Sequence, residues 1–103
     1  MDRIQKLREF LKDNPTDSFV QHALALEFIK LNDDDSAKKL FEEILERDAT
    51  YVGSYYHLAK LHERNNATEA AIGVYEKGME ATKAQNDTHS YNELRAAWEE
   101  LTY

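Results

Sequence analysis

Apolar residues gather into six stretches along the chain, and their spacing is that of helices. In residues 2–13, Ile4, Leu7, Phe10 and Leu11 share one stripe. That stretch stops at Asn14 and Pro15, because proline disfavours helical geometry in the residue before it. Asn14 is then expected to cap the following helix, with Pro15 near its first position. Residues 16–31 carry Phe19, Val20, Leu24, Leu26, Phe28, Ile29 and Leu31 around most of the helix, a pattern that calls for neighbours on several sides. The run Asn32 to Asp35 supplies a polar turn and acidic side chains at the next helix start, where the helix dipole favours them.

Residues 35–48 place Ala37, Leu40, Phe41, Ile44 and Leu45 at positions i, i+3, i+4, i+7 and i+8. Residues 51–64 bury Tyr55, Leu58, Ala59 and His62 by the same spacing. At the next junction Asn65 is expected to form a left-handed stop, and Asn66 with Glu69 a capping-box-like start. A fifth helix covers 68–83 although it holds Gly73 and Gly78 inside it, each costing about 1 kcal/mol relative to alanine. A sixth runs over 88–102.

The third and fifth stretches are copies of one template. Ala37, Leu40, Phe41, Ile44 and Leu45 fall on Ala71, Val74, Tyr75, Gly78 and Met79, each pair 34 residues apart. The second and fourth align at the same offset, Leu24 with Leu58 and Ala25 with Ala59. A constant period across two helices and their turns marks an array of helix–turn–helix repeats.

In these residues the chain resembles the tetratricopeptide repeat (TPR) family, whose pattern is W-x2-L-G-x2-Y, then A-x3-F, then P. Repeat one reads Gln21-x2-Leu24-Ala25-x2-Phe28, Ala37-x3-Phe41, Ala49; repeat two reads Tyr55-x2-Leu58-Ala59-x2-His62, Ala71-x3-Tyr75, Lys83. Leu7 and Pro15 fill the last slots of a partial repeat, and Tyr91-x2-Leu94-Arg95-x2-Trp98 matches a first helix again, displaced by two residues. Gln21 departs from the family's aromatic, His62 from its tyrosine, and Arg95 stands where a small residue is usual. The resemblance implies an all-α fold of about six helices, a right-handed superhelix of antiparallel helix pairs in a single domain over 1–103. Within it, 1–15 would be a partial repeat helix, 16–49 and 50–83 the two repeats, and 87–103 a capping helix. Tyr91, Leu94, Trp98 and Leu101 of that cap would face inward and Asn92, Glu93, Arg95 and Glu99 outward, the polar backing that repeat arrays need at their ends. The slot of Gly78 usually holds alanine at a close approach between helices. Gly73, aligned with Lys39 on the outer face, has no such reason.

Composition narrows the function. One proline and three glycines in 103 residues leave few breaks, in keeping with an all-helical chain. There is no cysteine, hence no disulfide, thiolate nucleophile or cysteine-ligated metal, and a reducing, cytoplasmic setting is expected. No run approaches the ~18 apolar residues of a membrane span. A net charge of −7, from 13 basic and 20 acidic residues, argues against nucleic-acid and membrane-surface partners. His57 and His62 are five apart and miss the spacing that puts two ligands on one helical face, and no phosphate loop, H-E-x-x-H or G-x-S-x-G is present. Neither a catalytic residue, a cofactor nor a metal site is expected. A zinc-binding use of His57 and His62 remains an alternative reading.

The resemblance further implies a concave groove lined by the first helix of each repeat. Carried over, repeat one would present Phe19, His22, Ala23, Leu26, Ile29 and Lys30, and repeat two Gly53, Tyr56, His57, Lys60, Glu63 and Arg64. The cap would add His89, Asn92, Glu93 and Ala96. Exposed Phe19, Leu26, Ile29 and Tyr56 would form an apolar interaction patch, with Lys60, Arg64 and the histidines orienting polar groups. Where some TPR domains hold a chaperone's terminal carboxylate with Lys, Asn and Arg, this chain has His22, Leu26, His57, His89 and Glu93, so that ligand is not expected. Two readings stay open: a module binding a protein or peptide in the groove, or a homodimer closed through the same groove. The first helix folding over part of the patch would also account for it.

Overall fold

The structure, a computed structural model, describes residues 2–103 and contains six helices joined by short turns, with no strand among the described residues. They are α1 Arg3–Asp13, α2 Ser18–Lys30, α3 Asp34–Arg47, α4 Gly53–Arg64, α5 Thr68–Ala84 and α6 Thr88–Thr102. The chain forms two compact units, one ending at Asp48 and one spanning Ala49–Tyr103. The first holds α1, α2 and α3, with α2 packed on both others; the second holds α4, α5 and α6, with α5 packed on both others.

Burial follows the 34-residue template. In the first unit Leu24, Ala25, Phe28, Ala37, Phe41 and Ile44 are buried, and in the second Leu58, Ala59, Ala71, Tyr75 and Gly78. Phe41 and Tyr75, equivalent in the repeat, are the largest side chains with no exposure at all. Burying a side chain of this size favours folding by roughly 1.5–3 kcal/mol. At the slot of Gln21 and Tyr55 the two units solve the same problem differently. Tyr55 donates its hydroxyl to the Ala49 carbonyl at 2.6 Å. Gln21, 5% exposed, instead accepts from Arg47 Nη2 at 2.5 Å and donates Nε2 to Glu43 at 3.3 Å. A buried amide needs such partners, because an unpaired one costs about 1–3 kcal/mol.

The turns after α2, α4 and α5 share one design. Asn32, Asn66 and Asn86 sit in the left-handed region, at φ 59°, 61° and 57°. In each, the next residue's N–H closes back onto the helix just left: Asp33 to the Phe28 carbonyl at 2.9 Å, Ala67 to His62 at 2.8 Å, and Asp87 to Thr82 at 2.9 Å. This is the closure that satisfies orphan carbonyls at a helix end, and asparagine is the residue besides glycine that tolerates its backbone. Asp33 and Asp87 then cap the following helices by accepting from the Ser36 and Ser90 amides. Ala67, with nearly the same backbone angles, makes no side-chain cap.

The structure departs from the sequence pattern at several helix ends and faces. Asn14 ends α1, its Nδ2 donating to the Phe10 carbonyl, and Asp17 caps α2. Asn66, one residue beyond Asn65, is the left-handed residue, and it does not cap α5. The stripe of α1 leaves no residue buried, and Phe10 is 46% exposed. His62 is half-buried, and α6 buries Leu94 and Ala97 while Tyr91, Trp98 and Leu101 are half-buried.

Candidate functional site

On the first unit the candidate residues lie along α2. Asp17 caps the start of this helix, Leu31 its end, and the left-handed Asn32 follows in the turn. Phe19 stands out from its first turn, 75% exposed. His22, Leu26 and Ile29 are half-buried, so the apolar face is narrower than the sequence pattern suggests. The His22 ring meets Phe41 edge-on, with centroids 5.3 Å apart. Phe19, His22, Ala23 and Leu26 line a cleft of about 520 Å³, whose other walls are Glu27, Lys30 and Arg3 of α1.

Arg3 was not legible as a site residue, because periodicity along one helix cannot say which side chain of a neighbour reaches across. The first helix does lie on α2: Arg3 pairs with Glu27, and the Arg8 guanidinium sits over the Phe28 ring at 5.3 Å. It thus adds a wall to the cleft and does not close it. Glu27 Oε2 receives both Lys30 Nζ at 3.0 Å and Arg3 Nε at 3.3 Å. The hydrogen bond from Lys30, reinforced by Arg3, holds the Glu27 carboxyl below its ordinary range despite some loss of hydration.

On the second unit, Tyr56 of α4 is half-buried, with the Tyr75 and His57 rings edge-on to it at 6.4 and 5.8 Å. Lys60 lies over the Tyr56 ring at 5.5 Å and pairs with Glu63 at 3.4 Å. Glu63 also accepts the buried Tyr75 hydroxyl, so the basic character expected around Lys60 is partly balanced. Arg64, at the end of α4, is exposed. Burial pushes the His57 imidazole down from its usual pKa, favouring its neutral form. Gly53, Tyr56 and His57 share a cleft of about 180 Å³ with Ser90, Glu93 and Leu94 of α6. Of the cap's other candidates, His89 pairs with Glu93 at 2.7 Å, and Asn92 and Ala96 are exposed.

Among the described residues, no three His, Asp or Glu side chains group as a metal site, and no helix is long and apolar enough to cross a membrane. The two clefts offer aromatic and aliphatic surface beside a few paired charges.

Helical hairpins repeated on a fixed 34-residue template define a helical repeat protein. The chain belongs to the tetratricopeptide repeat family: that family's model matches residues 20–51 and 52–85. The TPR fold is a protein–protein interaction module. No curated protein matches the sequence. Among solved structures, a tetratricopeptide repeat domain protein from Salinibacter ruber is 40% identical, covering 84% of this chain and 88% of its own, with a TM-score of 0.81. A Bordetella parapertussis protein shares the fold at 19% identity, covering 99% of this chain and 89% of its own, with a TM-score of 0.84. The TPR2B domain of yeast Sti1, solved in complex with pHsp70, does so at 17% identity, 96% and 79% coverage and a TM-score of 0.87.

Proposed function

We propose that this chain is a non-catalytic recognition module that takes a peptide or protein segment on the first helices of its repeats. Phe19, His22, Leu26, Ile29 and Lys30 of α2 form one part of the surface, and Tyr56, His57, Lys60 and Arg64 of α4 the other. The observation that carries the reading is Phe19, three-quarters exposed at the mouth of a cleft continued by Ala23 and Leu26. A large aromatic side chain left in water forgoes about 1.5–3 kcal/mol of burial, which a partner can recover. The partner is a protein, not nucleic acid or membrane, in keeping with the −7 net charge. A reducing, cytoplasmic setting suits a chain without cysteine.

Peptide arrays probed with the wild type, Leu26→Glu and Tyr56→Ala test the reading. Bound peptides should be lost from both variants while their helical circular dichroism is unchanged. A folded pair of variants that keeps every ligand overturns it. The competing homodimer predicts a mass that rises with concentration in light scattering and returns to the monomer value in Leu26→Glu.

A further inference from the structure

The cleft on α2 has an apolar end and a cationic end. Phe19 opens it at the first turn of the helix; Lys30 closes it at the last residue, joined by Arg3 from α1. Both cations are tied to one atom, Glu27 Oε2, at 3.0 and 3.3 Å. The Glu27 side chain is 16% exposed, whereas those of Lys30 and Arg3 are 72% and 63% exposed. Arg3, Lys30 and Glu27 together sum to +1 in a chain whose net charge is −7. The guanidinium has five N–H donors in a rigid fork, and this pairing engages its Nε while the side chain as a whole stays mostly exposed. Asp2, the next charge along α1, has its carboxylate turned onto the Gln5 amide as the helix cap. As a stabilising device an exposed pair of this kind is worth about 0–1 kcal/mol. As a recognition device it holds two donors in place beside an apolar wall, where an incoming anion is attracted more strongly than in open water.

We infer that this cleft selects a peptide carrying an apolar side chain and, about five residues away, a carboxylate. Phe19 takes the apolar side chain, Leu26 forms the apolar wall between the two ends, and Arg3 and Lys30 take the carboxylate. The spacing follows from geometry. Phe19 and Lys30 are eleven residues apart on one helix, a rise of about 16 Å, which an extended peptide covers in about five residues. Glu27 acts as a positioning residue that brings the two cations together. This inference rests on the peptide-binding reading of the same face and adds the chemistry of its ligand.

Selection of random peptides displayed on phage against the whole chain tests it. Enriched peptides should share an apolar residue with Asp or Glu four to six positions away. Synthetic copies should bind about threefold more weakly to Arg3→Gln or Lys30→Gln, and the double variant Arg3→Glu, Lys30→Glu should enrich Lys or Arg at the acidic position. Enriched peptides that share an apolar anchor, need Leu26 and lack any acidic preference overturn the inference and leave the peptide-binding reading standing. Enrichment indifferent to Leu26→Glu, or no enrichment at all, overturns both.

Discussion

Gly78 of α5 and Tyr55 of α4 approach so closely that a Cβ on the glycine would lie 2.8 Å from Tyr55 Cβ and 2.9 Å from Leu94 Cδ1 of α6. The contact with Tyr55 is with an atom fixed to the backbone, so it cannot swing aside. Gly73, one and a half turns earlier on the same helix, would meet nothing within 4 Å. The two glycines thus separate by stability. Gly73→Ala should raise stability in urea unfolding by about 1 kcal/mol, the helix-propensity difference. Gly78→Ala gains that propensity but overpacks a closed contact, at a cost of roughly 1–3 kcal/mol, and should melt below the wild type. Equal melting of the two variants would show that the close approach is relaxed in solution.

The absent cap at Ala67 is a vacancy in an otherwise repeated device. Its backbone angles, φ −96° and ψ 63°, match those of Asp33, φ −94° and ψ 74°. Ala67→Asp should therefore stabilise the chain by about 1 kcal/mol and Asp33→Ala destabilise it by a similar amount, both read from thermal unfolding. At Asp87, hydrogen bonds from the Ser90 amide and hydroxyl hold the carboxyl below its ordinary pKa. Its contribution is fully present above the unfolded carboxylate range and is lost as pH falls through the folded value, so Asp87→Asn should flatten part of the acid limb of a stability–pH profile.

The three left-handed asparagines give a second signature. At Asn32, Asn66 and Asn86, substitution by glycine should be tolerated, while alanine should cost about 1 kcal/mol, because a Cβ without a local polar contact disfavours this backbone. Chemical denaturation of Asn66→Gly and Asn66→Ala checks it; equal stability would contradict the turn geometry.

Tyr75 supplies a prediction at high pH. Burial, and then its hydrogen bond to Glu63, push this hydroxyl far above its ordinary value of 10.0. The unfolded chain starts to release the proton near pH 10 while the folded chain keeps it. Stability tied to this group is therefore full below pH 10 and declines as pH rises above it. Tyr75→Phe should remove that part of the alkaline decline, seen by comparing urea midpoints at pH 8 and pH 11 on the two proteins.

Most of the fold was legible because its signals are periodic. Ala37 and Ala71, or Leu24 and Leu58, repeat at one interval, and each pair is buried to the same degree. Gly78 was legible only through the family resemblance, whose pattern usually holds alanine at its slot; the chain's own period pairs it with the large, buried Ile44. What periodicity could not supply was the choice among adjacent polar residues at helix ends. Asn14 or Asp17, and Asn65 or Asn66, differ by backbone angles and hydrogen bonds that a one-dimensional pattern does not encode. The two-residue displacement of the last helix has a physical counterpart in the turn before α6. It carries the left-handed Asn86 of the turns after α2 and α4, whereas the connection from α3 to α4 has no left-handed residue.

The candidate surface was legible only in part. The template selected α2 and α4 and thereby Phe19, Leu26, Tyr56 and Lys60. It overstated the apolar patch, since Leu26, Ile29 and Tyr56 are half-buried and Phe19 alone among the four is exposed. It also left out charge pairing: Glu27 with Lys30 and Glu63 with Lys60 stand at the i,i+3 spacing that the sequence carries, whereas Arg3 reaches Glu27 from another helix, which no single helix pattern encodes.

The account's central claim, that the first helices of the repeats are the binding surface, is tested most directly by two-dimensional amide NMR during titration with an array-selected peptide. The largest shifts should fall on amides from Phe19 to Lys30 of α2 and from Tyr56 to Arg64 of α4. Shifts concentrated instead around Lys39 of α3 and Gly73 of α5, with α2 and α4 unmoved, would contradict it.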